Sequence, residues 1–310
     1  MSDLVLISGS SHPEMSQKIA NHLQQPLLDV ELGHFSDGEI QIQIRENLRG
    51  QDVFIIQPTV PPADNIMELL LMLDAVKRAS CRRVTAVIPY FGYGRQDRKD
   101  QPRVPIGARL MADLITQAGA DRVLTIDLHA PQIQGFFSIP LDHLYSAPVL
   151  LRHFDGADRK NLAVVAPDVG SIKMTRSFAK RLECSLSIID KRRPEANKAE
   201  VMNFIGDVKG KDVVIFDDMI DTAGTITQAA DVCMHEGAIS VTTCATHPIF
   251  SGQALERLNR DSIREVVVSN TIPFNRHSEC PKVKVLDMSG LLAEAIQRIH
   301  EEKTVSKLFV

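Results

Sequence analysis

Short runs of β-branched and aliphatic residues alternate along this chain with stretches of helical period. Val53-Phe54-Ile55-Ile56, Val84-Thr85-Ala86-Val87-Ile88, Val123-Leu124-Thr125-Ile126, Ala163-Val164-Val165, Val213-Val214-Ile215-Phe216 and Val266-Val267-Val268 are mostly apolar at successive positions. A strand covered on one face would alternate. Continuous runs are what parallel strands need when helices cover both faces. Between them, Asn65 and Glu68 have the spacing of a capping box and predict a helix start, while Gly119 and Gly237 predict helix stops. Alternating β and α elements predict an α/β fold with mainly parallel sheets.

The pattern also repeats. Asp52-Val53 and further apolar residues lead through a turn to Asn65-Ile66, a helix, Val84-Thr85 and Pro89-Tyr90-Phe91. Asp212-Val213 leads in the same way to Thr225-Ile226, a helix, Val241-Thr242 and Pro248-Ile249-Phe250, at offsets of 157 to 160 residues. Such units resemble one another by construction, so coincidence is one reading. Two related domains is the preferred one, and 310 residues suffice for two cores. The expected division is 1–147 and 148–290, with 291–310 as a C-terminal helix that is a candidate for packing on the first domain.

Composition narrows the class. A net charge of −4 argues against a general nucleic-acid binder, so a bound polyanion needs a local cluster of positive groups. Five cysteines, an odd number without Cys-x-x-Cys spacing, predict reduced structural thiols in a cytoplasmic protein. The opening Met1-Ser2-Asp3-Leu4 lacks a secretion signal's features, and no apolar run nears the ~18 residues of a membrane span.

The most specific local chemistry lies in Asp217-Asp218-Met219-Ile220-Asp221-Thr222-Ala223-Gly224-Thr225. A buried strand delivers two acids to its carboxyl end, where ligands bind in open α/β sheets. The small-residue turn then opens a helix near Thr225, whose free amides suit a phosphate, and the acids suit sugar hydroxyls or a hydrated magnesium ion. The bland alternative is an N-capped helix with acids exposed at a turn. Two decoys fail. Gly206-Asp207-Val208-Lys209-Gly210-Lys211 has the wrong spacing for a nucleotide loop and precedes a strand, and Gly92-Tyr93-Gly94 lacks a third glycine.

The Asp217–Thr225 string resembles the ribose-phosphate motif of type I phosphoribosyltransferases. With three further strings the resemblance narrows. These are Phe35-Ser36-Asp37-Gly38-Glu39 before an alternating Ile40, Ile42, Ile44 hairpin; Asp127-Leu128-His129-Ala130-Pro131-Gln132; and Ile189-Asp190-Lys191-Arg192-Arg193-Pro194. Together they closely resemble ribose-phosphate pyrophosphokinases over essentially the whole chain.

That resemblance implies two domains of the type I phosphoribosyltransferase fold, each a mainly parallel sheet flanked by helices. It implies transfer of a diphosphate group from Mg2+-bound ATP to ribose 5-phosphate. Phe35, Asp37, Gly38 and Glu39 would hold ATP from a neighbouring subunit, joined by Arg95 and Gln96. His129 and Asp168 would bind or orient the metal. Lys191 and Arg193 would be the catalytic cations on a mobile loop. Arg193, Asp217, Asp218, Asp221, Thr222, Ala223, Gly224 and Thr225 would grip ribose 5-phosphate. A homohexamer with phosphate and ADP as effectors is also implied.

Each position has a plainer competitor: Phe35 as a hairpin core residue, His129 as one of ten histidines, Lys191-Arg192-Arg193 as a solvated face. One departure stands out. After Pro167-Asp168-Val169-Gly170 the family usually has a second glycine, and Ser171 stands here. The competing functions are a base-using phosphoribosyltransferase, which needs no ATP site, a catalytically silent regulatory homologue, and an RNA-binding regulator on the same fold.

Overall fold

The computed structural model describes residues 3–168, 170–192 and 201–309. The chain forms two compact units. One comprises Met1–Tyr145, Thr271–Pro273 and Met288–Val310, the other Ser146–Asn270 and Phe274–Asp287.

In the first unit the strands are β1 (Leu4–Ser8), β2 (Val30–His34), β3 (Ile40–Ile44), β4 (Asp52–Ile56), β5 (Arg83–Ile88), β6 (Arg122–Ile126) and β7 (Leu141–Leu144). Its helices include α1 (Pro13–Leu23), α2 (Asp64–Arg78) and α3 (Gly107–Gln117). The main sheet runs β1-β4-β5-β6-β7, parallel throughout. β2 and β3 form a separate antiparallel hairpin pairing His34 with Ile40. Val53, Phe54, Ile55 and Ile56 are fully buried, as their unbroken apolar run requires.

The second unit contains α4 (Ala147–Arg152), β8 (Leu162–Ala166), α5 (Ile172–Leu182), β9 (Ser185–Arg192), β10 (Val201–Ile205), β11 (Asp212–Ile220), α6 (Gly224–His235), β12 (Ser240–Pro248), α7 (Ala254–Leu258), β13 (Glu265–Ser269) and β14 (Val283–Leu286). The order is β10-β9-β8-β11-β12-β13-β14, parallel except at the β10 edge. The C-terminal helix α8 (Ser289–His300) belongs to the first unit and packs on α1. There Arg83 grips Asp52 through two hydrogen bonds (2.8 and 2.5 Å) and donates to the Ile299 carbonyl, while His300 Nδ1 lies 2.9 Å from the same carboxylate.

Two glycine stops are as expected: Gly119 (φ 111°) and Gly237 (φ 88°) follow α3 and α6 in the left half of backbone space. The expected capping box is different. Ala63 occupies the cap of α2 without a side-chain bond. Asn65 donates to the Val60 carbonyl, and the buried Glu68 carboxylate accepts from the Ser10 amide, the Ser10 hydroxyl and Gln57. Glu68 is thus spent on joining β1 and β4. All five cysteines are free thiols. Burial, with Glu236 adding, pushes the Cys233 thiol up to about 12, as suits a packing role. Among the described residues no helix is long and apolar enough to cross a membrane.

Candidate active site

In the second unit β11 extends further than the apolar run alone suggests. Asp217 and Asp218 lie within it, in register with β12 through Asp217–Ala245 and Met219–His247. The Asp218 amide donates to the Asp217 carboxylate at 2.9 Å. Burial pushes the Asp217 carboxyl well above the usual carboxylate range, and the charges of Asp218 and then Asp168 push it further. Three acids at one sheet edge share a field that favours a proton, a hydroxyl or a cation.

Beyond Ile220 the chain turns into α6. Ala223 caps the helix in the left-handed conformation (φ 61°, ψ 6°), which costs a residue with a Cβ about 1–2 kcal/mol. Gly224 follows as the first helical residue. A left-handed residue followed by a right-handed one turns successive amides toward one point and makes an anion cradle, here at the positive end of a helix. Thr222 and Thr225 are exposed beside it.

The turn is held from the segment after β12. Phe250 and Ser251 amides donate to the Ile220 and Asp221 carbonyls (3.0 and 3.1 Å). The Ser251 hydroxyl donates to the Asp221 carboxylate, and Arg257 Nη1 donates to the Thr222 carbonyl at 2.9 Å. Ser251 and Arg257 escaped the sequence reading. Arg257 is 35 positions from its partner and stands in a helix of five residues, so no local signal marks it.

At the end of β8, Asp168 turns the chain into α5. Its carboxylate accepts from the Ser171 amide at 2.9 Å, and the Ser171 hydroxyl donates back to the Asp168 carbonyl at 3.0 Å. The departure from glycine at 171 therefore closes the turn on itself, with the side chain 7% exposed.

β9 also corrects the reading. Lys191, expected on a mobile loop, has its backbone inside β9, opposite Met202 of β10. The β10 run, Val201–Ile205, was missed. Arg193 lies outside the described residues.

In the first unit the chemistry again gathers at carboxyl ends of strands. The loops after β4 and β5 enclose a cavity of about 260 Å³, lined among others by Thr59, Pro61, Tyr90, Tyr93, Arg95 and Gln96. They are stitched by the Thr59 amide on the Tyr90 carbonyl (2.9 Å) and the Gly92 amide on the Thr59 hydroxyl (2.7 Å). The β5 and β6 loops are joined as well. Gln132 donates to Asp97 at 2.9 Å, and a Cβ on Gly94 would lie 3.7 Å from the Cβ of His129. Arg95, Gln96 and His129 are thus brought together at one edge, all exposed. Phe35–Glu39 forms the tip of the β2–β3 hairpin. The Phe35 amide donates to the Glu39 carbonyl (2.8 Å), Gly38 takes φ 95°, and the Phe35 ring is 51% exposed, which excludes a core role within the chain.

A family model for the N-terminal domain of ribose phosphate pyrophosphokinase matches residues 4–119, and one for the phosphoribosyl synthetase-associated domain matches 191–310. The ribose-phosphate pyrophosphokinase of Chlorobaculum tepidum is 55% identical over 305 residues, covering 98% of this chain and 94% of that protein. That of Caldanaerobacter subterraneus subsp. tengcongensis is 54% identical over 308 residues, covering 99% and 98%. The crystal structure of phosphoribosylpyrophosphate synthetase from Mycobacterium smegmatis superposes with a TM-score of 0.92 at 38% identity, covering 97% of this chain and all of that one.

Proposed function

The chain belongs to the ribose-phosphate pyrophosphokinases, and from that premise we propose how its residues divide the work. It transfers the diphosphate group of ATP to the anomeric hydroxyl of ribose 5-phosphate, giving 5-phospho-α-D-ribose 1-diphosphate and AMP for nucleotide biosynthesis. The anomeric oxygen forms a bond to the β-phosphorus, the bond from that phosphorus to the α–β bridging oxygen breaks with its electron pair leaving on AMP, and the hydroxyl proton is released to solvent. Chemistry of this kind depends mostly on positioning and on charge near the equatorial oxygens.

The observation that carries the division is the left-handed Ala223 before Gly224, an amide cradle with carboxylates beside it. The Asp221–Thr225 turn holds the 5-phosphate, and Asp217 and Asp218 accept the ribose hydroxyls. Arg95 and Gln96 bind ATP. The exposed Phe35–Glu39 tip serves the ATP site of a neighbouring copy, which makes the active form a homo-oligomer, a hexamer in our reading. Lys191 and Arg193 are the cations that stabilise the transferring group.

Among the described residues no cluster of three or more His, Cys, Asp or Glu is built to hold a metal. That suits magnesium, which is usually held by one or two carboxylates, substrate phosphates and water rather than by a protein cage. His129 and Asp168 would hold or orient it, and it supplies charge neutralisation on the triphosphate. Phosphate and ADP act as effectors, and the protein works in the cytoplasm.

Incubation with ATP, magnesium and ribose 5-phosphate tests the reading. AMP should appear one for one with the phosphoribosyl product. Product formed without ATP from a nucleotide and diphosphate would instead indicate a base-using phosphoribosyltransferase.

A further inference from the structure

The cradle at Ala223 has a dependence on one side chain outside it. In a trans peptide the carbonyl and the following N–H point in opposite directions. Arg257 Nη1 holds the Thr222 carbonyl at 2.9 Å, so the Ala223 amide must face the other way, toward the point on which the Gly224 amide also converges. A left-handed non-glycine residue persists only where its surroundings over-determine it. Here those surroundings are the Arg257 bond, the Phe250 and Ser251 amides on Ile220 and Asp221, and the Ser251 hydroxyl on the Asp221 carboxylate. The segment is itself anchored, because Arg276 donates to the Phe250 carbonyl at 3.0 Å. Arg257 also closes the outer side of the turn, since its Nη1 lies 3.6 Å from where a Cβ on Gly224 would be.

We propose that Arg257 is a positioning residue for ribose 5-phosphate: by holding the Thr222 carbonyl it sets the left-handed turn whose amides receive the 5-phosphate. The inference rests on the reading of the Asp221–Thr225 turn as the sugar-phosphate site. Arg257 acts through backbone geometry and not as a direct ion partner of the phosphate. Its removal should therefore weaken ribose 5-phosphate selectively and leave ATP untouched.

The test uses the full chain with Arg257→Ala, Arg257→Lys and, independently, Ser251→Ala. Ribose 5-phosphate binding is measured by calorimetry without ATP, KM for each substrate by AMP release, and integrity by thermal unfolding. Arg257→Ala should weaken ribose 5-phosphate roughly tenfold in both assays, the scale of one charge-assisted hydrogen bond lost at a part-exposed position. KM for ATP should move less than about twofold on the same scale, and Arg257→Lys, which keeps a donor, should recover most of the loss. Ser251→Ala should act in the same direction. The ratio of wild-type to Arg257→Ala affinity should hold from low to high salt, because a hydrogen bond to a carbonyl is screened far less than an ion pair.

A ratio that collapses with salt would overturn the positioning role in favour of direct contact. Equal loss for both substrates, or no rescue by lysine, would reduce Arg257 to general structure. Wild-type protein that binds ribose 5-phosphate in an Arg257-dependent way yet releases no AMP overturns the diphosphate-transfer reading alone. Wild-type protein that releases AMP while Arg257→Ala binds normally overturns this inference alone.

Discussion

Gly92→Ala isolates the seam on which the loops proposed to bind ATP depend. A Cβ on Gly92 would lie 2.3 Å from the Thr59 carbonyl oxygen, a backbone atom that cannot rotate aside. To reach even the 3.0 Å that real Cβ atoms rarely breach, the two loops must part by at least about 0.7 Å. The Gly92 amide would then withdraw from the Thr59 hydroxyl, now 2.7 Å away. Arg95 and Gln96 follow on the displaced loop, three and four residues downstream. Overpacking of this sort typically costs about 1–3 kcal/mol of stability, and a misplacement near 1 Å can cost roughly a hundredfold in turnover. We expect Gly92→Ala to lower kcat/KM for ATP by about ten- to a hundredfold while ribose 5-phosphate binding without ATP is unchanged. Steady-state AMP release with ATP varied, paired with calorimetry, reads both. Gly156→Ala is the control, since a Cβ there meets nothing within 4 Å. If Gly92→Ala and Gly156→Ala both keep wild-type kcat/KM, the seam does not govern the ATP side and the reasoning fails.

Other outcomes follow from the second unit. Asp217, raised mainly by burial and then by Asp218 and Asp168, stays protonated where the unfolded chain, near 3.8, has ionised. The ligand-free protein is therefore most favoured by this group below about 3.8 and loses that stability as pH rises to the folded-state value. Asp217→Asn should remove that slope and raise the melting temperature at neutral pH while weakening ribose 5-phosphate; parallel melting curves across acid to neutral pH would contradict this. Ala223→Gly should gain roughly 0.5–1 kcal/mol in denaturant unfolding, the left-handed cost less the entropy of an added glycine, and a net loss would show that the turn is not strained. Lys191→Ala should drop turnover at least about a hundredfold with little change in ATP affinity, and retention of more than roughly a tenth would remove Lys191 from the chemistry.

How far the residues announced this depended on the range of the force involved. Central parallel strands were legible because Val53–Ile56 and Val213–Phe216 are apolar at every position, a pattern imposed by burial on both faces. The edge strands β7, β10 and β14 were not, since an edge is half wet and Leu141-Asp142-His143-Leu144 carries no unbroken run; the edge strand β1 went unnamed despite its run Leu4-Val5-Leu6-Ile7. Glu68 misled for a related reason. Its spacing from Asn65 suits a local cap, but Ser10 and Gln57, held near it by strand pairing, offer a buried carboxylate three donors where a capping box offers one amide. The acids and small residues of the Asp217–Thr225 turn were visible as a string. The left-handed Ala223 and its support by Arg257 were not, because they arise from contacts between separate segments.

The two sheets also show why a backbone pattern does not by itself specify chemistry. β1-β4-β5-β6-β7 in one unit and β8-β11-β12-β13-β14 in the other share an order and a parallel sense. In each, a loop leads from the second of these strands into a helix, α2 or α6. After β11 that loop is Asp221-Thr222-Ala223, every residue of which carries an amide hydrogen. After β4 it runs Gln57-Pro58-Thr59-Val60-Pro61-Pro62-Ala63, and three of its seven residues have no N–H to offer. Such a loop has fewer donors to offer a phosphate. Its apolar rings instead wall a cavity beside Tyr90, Tyr93 and Arg95, surfaces suited to a flat, partly polar group. The proposed division of labour between sugar phosphate and nucleotide rests on where proline removes a donor and where a left-handed alanine aligns them.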